Sequence, residues 1–174
     1  MVELEDLKTS LDSNPYLTND IKENFMELLS IFKDSFKDVD LNNANERLKT
    51  VKVIKGSKFL VKRTSMYNPV DNEILISMSN ITDDLDCKHI LMRELLNLIT
   101  AKDNFTGFNK DNAYEALNIG YTEILTNFLV GNESDSEYED EIIEANLIAK
   151  LIGSDAMQEA YFKNNVDIIL NTVG

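Results

Sequence analysis

Four ionisable side chains in the second half of the chain have types and spacing that can support chemistry. His89, Arg93 and Glu94 lie close together, and Glu123 follows further along the chain. A glutamate can act as a general base, and a histidine can transfer a proton or bind a metal. Arginine keeps its proton and offers no lone pair, so Arg93 can pair with a carboxylate but cannot bind a cation.

One amphipathic helix, from Lys88 to Thr100, is predicted to position the first three of these side chains. At about 100° per residue, its apolar side chains fall on one broad arc. They are Leu91, Met92, Leu95, Leu96, Leu98 and Ile99. The other side carries a polar strip of His89, Arg93, Asn97 and Thr100, with Glu94 at its edge. Such a helix usually lies under a sheet or between helices, with the strip facing a cleft.

The spacing of the polar strip, Arg93-Glu94-Leu95-Leu96-Asn97, resembles the H-E-x-x-H helix of zinc proteases. In that helix two histidines on adjacent turns bind one zinc ion, and the glutamate acts as general base. Here Arg93 and Asn97 replace the two histidines, while Glu94 is kept. A neutral amide oxygen suits harder cations than zinc, so Asn97 is a poor substitute ligand.

A second segment, Asn118–Glu123, extends the resemblance to a group of small bacterial zincin-like proteins. It has the sequence N-I-G-Y-T-E, whereas that group has N-E-G-x-T-E after H-E-L-L-H. The group's third zinc ligand, on a second helix facing the first, corresponds to Ile119. The resemblance covers roughly residues 14 to 165. It implies a zincin-like fold in which a sheet covers the motif helix and an edge strand binds substrate peptide.

Because every zinc ligand of that group is replaced, we predict no metal, no cofactor and no catalytic residue, with Glu94 only vestigial. The remaining cleft is predicted to be lined by Arg93, Glu94, Asn97, Ile119 and Glu123. If the two helices face each other, Arg93 brings a positive charge to the place where a metal cation is lost. It would then bridge Glu94 and Glu123 and hold the helices together.

The favoured function is that of a catalytically inactive metallopeptidase-like protein, a pseudoenzyme that binds a peptide or protein partner in the cleft or acts as a regulatory module. Two alternatives stay open. One is a hydrolase with an atypical metal site made by Glu94, Glu123 and His89. The other is a plain interaction protein with a chance motif. We interpret His89 as a partly exposed helix residue, and Cys87 lacks the nearby base that a nucleophilic thiol needs.

The composition of the chain limits which classes of protein it can belong to. The chain has 174 residues and 43% hydrophobic residues, which suits one domain, 1–174, with 1–13 as a peripheral N-terminal segment. A net charge of -14 argues against nucleic acid and against an anionic membrane surface as partners. A single cysteine excludes an intramolecular disulfide. The acidic N-terminus resembles no secretory signal, and no apolar run reaches the ~20 residues of a membrane span, so we expect the cytoplasm.

The pattern of elements predicts an α+β fold, with a small antiparallel sheet of about three strands packed on a mainly helical body. Thr18 and Thr82-Asp83-Asp84 are predicted helix starts. Three segments are predicted strands: 51–54, 59–62 and 74–78. In the helix 118–130, the predicted buried stripe includes Tyr121, Leu125 and Phe128, with Ile119, Thr122, Glu123 and Thr126 on the opposite arc.

Overall fold

The computed structural model describes residues 1–56, 63–77, 84–131 and 137–173, and within them the chain is mainly helical. The helices are α1 (Leu4–Ser13), α2 (Asn19–Ser35), α3 (Asn42–Leu48), α4 (Asp84–Ile99), α5 (Glu115–Val130), α6 (Glu139–Ile152), α7 (Ser154–Phe162) and α8 (Asp167–Val173). The strands are β1 (Lys52–Lys55), β2 (Ser65–Asn68) and β3 (Glu73–Ile76). A short 3₁₀ helix, Lys110–Asn112, precedes α5. The α+β prediction is confirmed.

The sheet is mixed, which corrects the prediction of an antiparallel sheet. Its strand order is β1-β3-β2. β3 lies between the other two, antiparallel to β2 and parallel to β1. The direction of pairing differs because alternation of side chains does not encode which way a neighbouring strand runs. β2 ends at Asn68, and Pro69 begins the connection to β3.

Two predicted features fall outside the described residues. The predicted strand 59–62 lies in the gap before residue 63, and the predicted helix start at Thr82-Asp83 lies in the gap before residue 84. The predicted strand 59–62 therefore stays a prediction. β2 lies further along the chain, and in it the side chains of Ser65 and Tyr67 point inward and that of Met66 points outward.

The N-terminal segment belongs to the core, so its interpretation as peripheral is wrong. Leu7 and Leu11 of α1 are fully buried, because α1 packs against α2 and α3. Thr18 caps α2 as predicted, and its hydroxyl accepts a hydrogen bond from the Ile21 backbone N–H at 3.4 Å. The buried residues of α2 begin with Phe25 and follow one another at helical spacing.

α4 and α5 form the centre of the helical body, and α6 packs closely on α5. The close approach of α5 and α6 depends on Gly120, because a Cβ there would overlap the backbone carbonyl of Glu141. Phe128, predicted to be buried, is 70% exposed. An aromatic cluster of Phe108, Tyr121 and Tyr161 closes the core beside α5, with ring centroids 5.2–5.7 Å apart.

In the part of the chain that the structure describes, no helix combines the length and the apolar character needed to cross a membrane.

Candidate functional site

The structure brings α4 and α5 face to face at the two segments that carry the zincin resemblance. Nη1 of Arg93 on α4 donates a hydrogen bond to Oε1 of Glu123 on α5 at 2.9 Å. Arg93 Nε also donates to Oε1 of the neighbouring Glu94 at 3.2 Å. The predicted bridge from Arg93 to both carboxylates is thus confirmed in its geometry.

All three members of this ion-pair cluster are inside the protein. Arg93 is 3% exposed, Glu94 1% and Glu123 0%. Two further groups hold the guanidinium: Nη2 donates to the Ser65 hydroxyl at 2.7 Å, and the Tyr138 ring centroid lies 5.1 Å from it. Arg93 therefore links β2, α4, α5 and the start of α6 through one side chain.

The pKa values in the cluster follow from this burial and pairing. Burial works against the charge of Arg93, but the carboxylates of Glu94 and Glu123 outweigh it and raise the arginine pKa above its usual range. Burial alone would raise the pKa of Glu123, but hydrogen bonds and charge from His89 and Arg93 lower it instead. Both partners are thus held in their charged forms.

His89 is fully buried, so its interpretation as a partly exposed helix residue is wrong. Its Nδ1 lies 2.9 Å from the Gly131 carbonyl oxygen, and its Nε2 lies 3.0 Å from Oε2 of Glu123. A carbonyl only accepts, so Nδ1 carries a proton. Because Arg93 keeps Glu123 ionised, Nε2 donates as well and the ring is an imidazolium. Two buried cations then balance two buried carboxylates.

Polar contacts continue from Glu94 along α4 and across to α5. Asn97 Nδ2 donates to Oε2 of Glu94 at 3.0 Å, and Asn97 Oδ1 accepts from the Thr106 hydroxyl at 3.2 Å. Asn118 on α5 donates to the same hydroxyl at 3.2 Å. Asn118 Oδ1 also accepts the Phe108 backbone N–H at 3.0 Å. The asparagines of the two motif segments thus anchor the loop that connects their helices.

A cleft of about 230 Å³ opens above this network. Its walls come from β2, α4, the loop before α5, and α5 itself. Four of the five predicted cleft residues line it: Arg93, Glu94, Asn97 and Ile119. Glu123 does not line it, because it lies behind Arg93 with no exposed surface. Half-buried Ile119 forms part of the wall.

The residues present do not fit a zinc ion. Arg93 places a cation between Glu94 and Glu123, and Ile119 offers no donor atom. Among the described ranges, no group of three His, Cys, Asp or Glu side chains could hold a metal ion. The atypical metal site of Glu94, Glu123 and His89 would therefore require Arg93 to leave the position that it shares with both carboxylates.

Four groups at the site were missed by the sequence analysis. Ser65 donates a short hydrogen bond to Glu94 and accepts one from Arg93. Tyr138 stacks on Arg93, Arg63 pairs with Glu115 at the cleft wall, and Glu137 approaches Arg93 Nη2 at 3.8 Å. All four reach the site from other elements of the chain, so no local pattern around the motif helix could have found them.

Comparison of the chain with models of protein families, with curated proteins and with solved structures finds no match.

Proposed function

We propose that this chain is a catalytically inactive metallopeptidase-like protein that binds an extended peptide segment in its cleft. The observation that carries the proposal is the position of Arg93, which pairs with Glu94 at 3.2 Å and with Glu123 at 2.9 Å. A fixed arginine keeps Glu94 occupied as an ion-pair partner, so this glutamate is not free to activate a water molecule.

The shape of the cleft and its edge strand support a peptide as the ligand. β2 is the last strand on its side of the described sheet. The Ser77 backbone N–H donates to the Thr64 carbonyl, so alternation turns the backbone groups of Ser65 and Tyr67 away from β3. An extended peptide can pair with such an edge through its own backbone.

A residue of the cleft wall with an unpaired acceptor atom supports the same ligand class. Asn109 lines the cleft, and its Oδ1 is buried with no hydrogen-bond partner among the described residues. A buried acceptor without a partner costs free energy, and a ligand N–H group can recover it when the Asn109 side chain turns towards the cleft. Peptide backbones carry such a donor at nearly every residue.

A cleft-filling variant tests the proposal. Peptides selected on the intact chain from a random heptapeptide display library should shift the NMR signals of the Ser65 and Tyr67 amides. Ile119→Trp places a larger ring in the cleft and should weaken their binding at least about tenfold, equivalent to ~1.4 kcal/mol. Ile143→Trp, at an exposed position on α6, is the matched control and should leave binding unchanged.

Two results would contradict the proposal. Equal binding to both variants would place the peptides elsewhere on the surface. Cleavage of the selected peptides by the zinc-incubated chain, abolished by Glu94→Gln, would favour the hydrolase over the pseudoenzyme.

A further inference from the structure

The arginines of this acidic chain are concentrated at one place. The sequence contains three, Arg47, Arg63 and Arg93, against a net charge of -14. Arg63 and Arg93 line the cleft, and Arg47 lines an adjoining depression that shares Pro69 and Asn104 with it. Guanidinium groups match the planar geometry of carboxylates, so their position bears on the ligand.

One carboxylate of the chain itself already lies beside two of these arginines. Glu137 Oε1 accepts the Thr64 backbone N–H at 2.8 Å and lies 3.8 Å from Arg93 Nη2. The charge of Glu137 contributes to raising the Arg63 pKa, after the larger effect of the hydrogen bond to Glu115. A hydrogen bond with Glu137 likewise contributes to the raised pKa of buried Tyr138.

Glu137 is the most weakly held of the carboxylates around Arg93. Its side chain is 24% exposed, whereas those of Glu94 and Glu123 are at most 2% exposed. Its distance to Arg93 is also the longest of the three ion pairs. A carboxylate that is partly open to solvent and only loosely paired can exchange with an external one at small cost.

We propose that peptides in the cleft bind through a carboxylate group that takes the place of the Glu137 carboxylate. Glu137 lies beside the cleft, against Arg93 of its lining, and occupies this position until the ligand displaces it. This inference depends on the peptide-binding function proposed above and adds the chemistry of the ligand. The groups that bind the ligand carboxylate are the Thr64 N–H and the guanidinium groups of Arg63 and Arg93.

Charge balance explains why the ligand must displace Glu137 rather than bind beside it. Arg93 and His89 are balanced by Glu94 and Glu123, and Arg63 is paired with Glu115 at 2.7 Å. Among the described residues, the local positive charges are therefore already matched without Glu137. An additional carboxylate next to Glu137 would meet net repulsion, whereas an exchange leaves the local charge unchanged.

The competition predicts a gain of affinity from a single substitution. Glu137→Gln removes the competing charge, while its amide oxygen can still accept the Thr64 N–H. The probes are N-acetylated Ala-Val-Thr-Ala with a free C-terminus, the same peptide with a C-terminal amide, and amidated Ala-Glu-Thr-Ala. Binding to the full chain is followed by NMR at the Thr64 amide, with Glu139→Gln as the control of equal charge.

We expect Glu137→Gln to bind at least one carboxylate peptide about tenfold more tightly than the wild type, while Glu139→Gln stays within about twofold of it. Arg63→Gln should weaken the carboxylate peptides but not the neutral one. Preference for the free C-terminus identifies a terminal carboxylate as the recognised group, and preference for the glutamate peptide identifies a side chain.

Three outcomes would overturn the inference. If the neutral peptide binds as tightly as both carboxylate peptides, the carboxylate is not recognised, although peptide binding itself still stands. If Glu137→Gln binds no more tightly than Glu139→Gln, then Glu137 does not compete. If no peptide binds any variant at millimolar concentration, both this inference and the proposed function fail.

Discussion

Arg93→Met should destabilise the protein severely, because Arg93 is the one cation in the described part of the chain that contacts both Glu94 and Glu123 directly. Methionine keeps much of the side-chain volume, so the change tests charge more than packing. Arg93 is 3% exposed and donates hydrogen bonds to Glu94, Glu123 and Ser65. Without it, the two buried carboxylates share, among the described residues, only His89 as a balancing charge.

The size of the expected loss of unfolding free energy follows from the burial of Arg93 and its partners. Removing one partner of a buried ion pair costs about 3–5 kcal/mol of unfolding free energy, because the other charge is left uncompensated. Arg63 provides the comparison, since its side chain is 40% exposed and that of its partner Glu115 is 52% exposed. Loss of an exposed pair costs about 0–1 kcal/mol, so Arg63→Met should fall in that range.

The assay is urea unfolding at neutral pH, followed by far-ultraviolet circular dichroism, since the chain contains no tryptophan. If Arg93→Met alone does not fold, adding Glu94→Gln and Glu123→Gln should restore a folded chain, because the uncompensated charges are then removed. A loss of unfolding free energy below about 0.5 kcal/mol would refute the reasoning, because Arg93 would then contribute no more to stability than a surface charge does. Failure of the triple variant to fold better than Arg93→Met would refute it as well.

Three further predictions test the surroundings of Arg93 by the same unfolding assay. Since the pKa of Glu123 is lowered on folding, its ionised form stabilises the fold at neutral pH, and that contribution should disappear as pH falls through about 4 and below. Glu123→Gln should flatten this part of the plot of unfolding free energy against pH. An unchanged plot would contradict the pairing. Gly120→Ala should destabilise the protein by about 1–3 kcal/mol, because the new Cβ would meet the Glu141 carbonyl. Without such a contact, alanine in place of glycine normally stabilises a helix by ~1 kcal/mol, so a gain in stability would disprove the close contact. Tyr161→Phe should cost about 1 kcal/mol, because the buried tyrosine hydroxyl lies 2.7 Å from the Thr122 hydroxyl; no loss would show that this hydrogen bond is unimportant.

Local pattern was sufficient to predict α4 and α5 and the burial of the apolar face of α4. Helical periodicity located α2 and its cap at Thr18, because both depend on residues within a few turns of one another. Strand direction was not predictable, since the parallel pairing of β1 with β3 depends on the path of the chain between them. Leu7 and Leu11 are buried by α2 and α3, which a short isolated helix pattern does not reveal.

Part of the candidate site was predictable from the sequence. The two motif segments identified Arg93 and Glu123 as facing residues, and the structure places them 2.9 Å apart. The burial of His89 was missed because a polar strip on a helix is normally assigned to solvent or a cleft. Here the strip of α4 packs against the polar arc of α5, which includes Thr122 and Thr126, so two polar faces bury each other.

The most direct test of the account is the zinc content of the purified chain after incubation with excess zinc and desalting. We expect the chain to retain far less than one zinc, because Arg93 holds the position between Glu94 and Glu123 and Ile119 offers no ligand atom. Arg93→His with Asn97→His and Ile119→Glu, which restores the motif's ligand set, is the comparison and should retain more. Close to one zinc per unmodified chain would contradict the account and make the metal-dependent hydrolase the better explanation of the cleft.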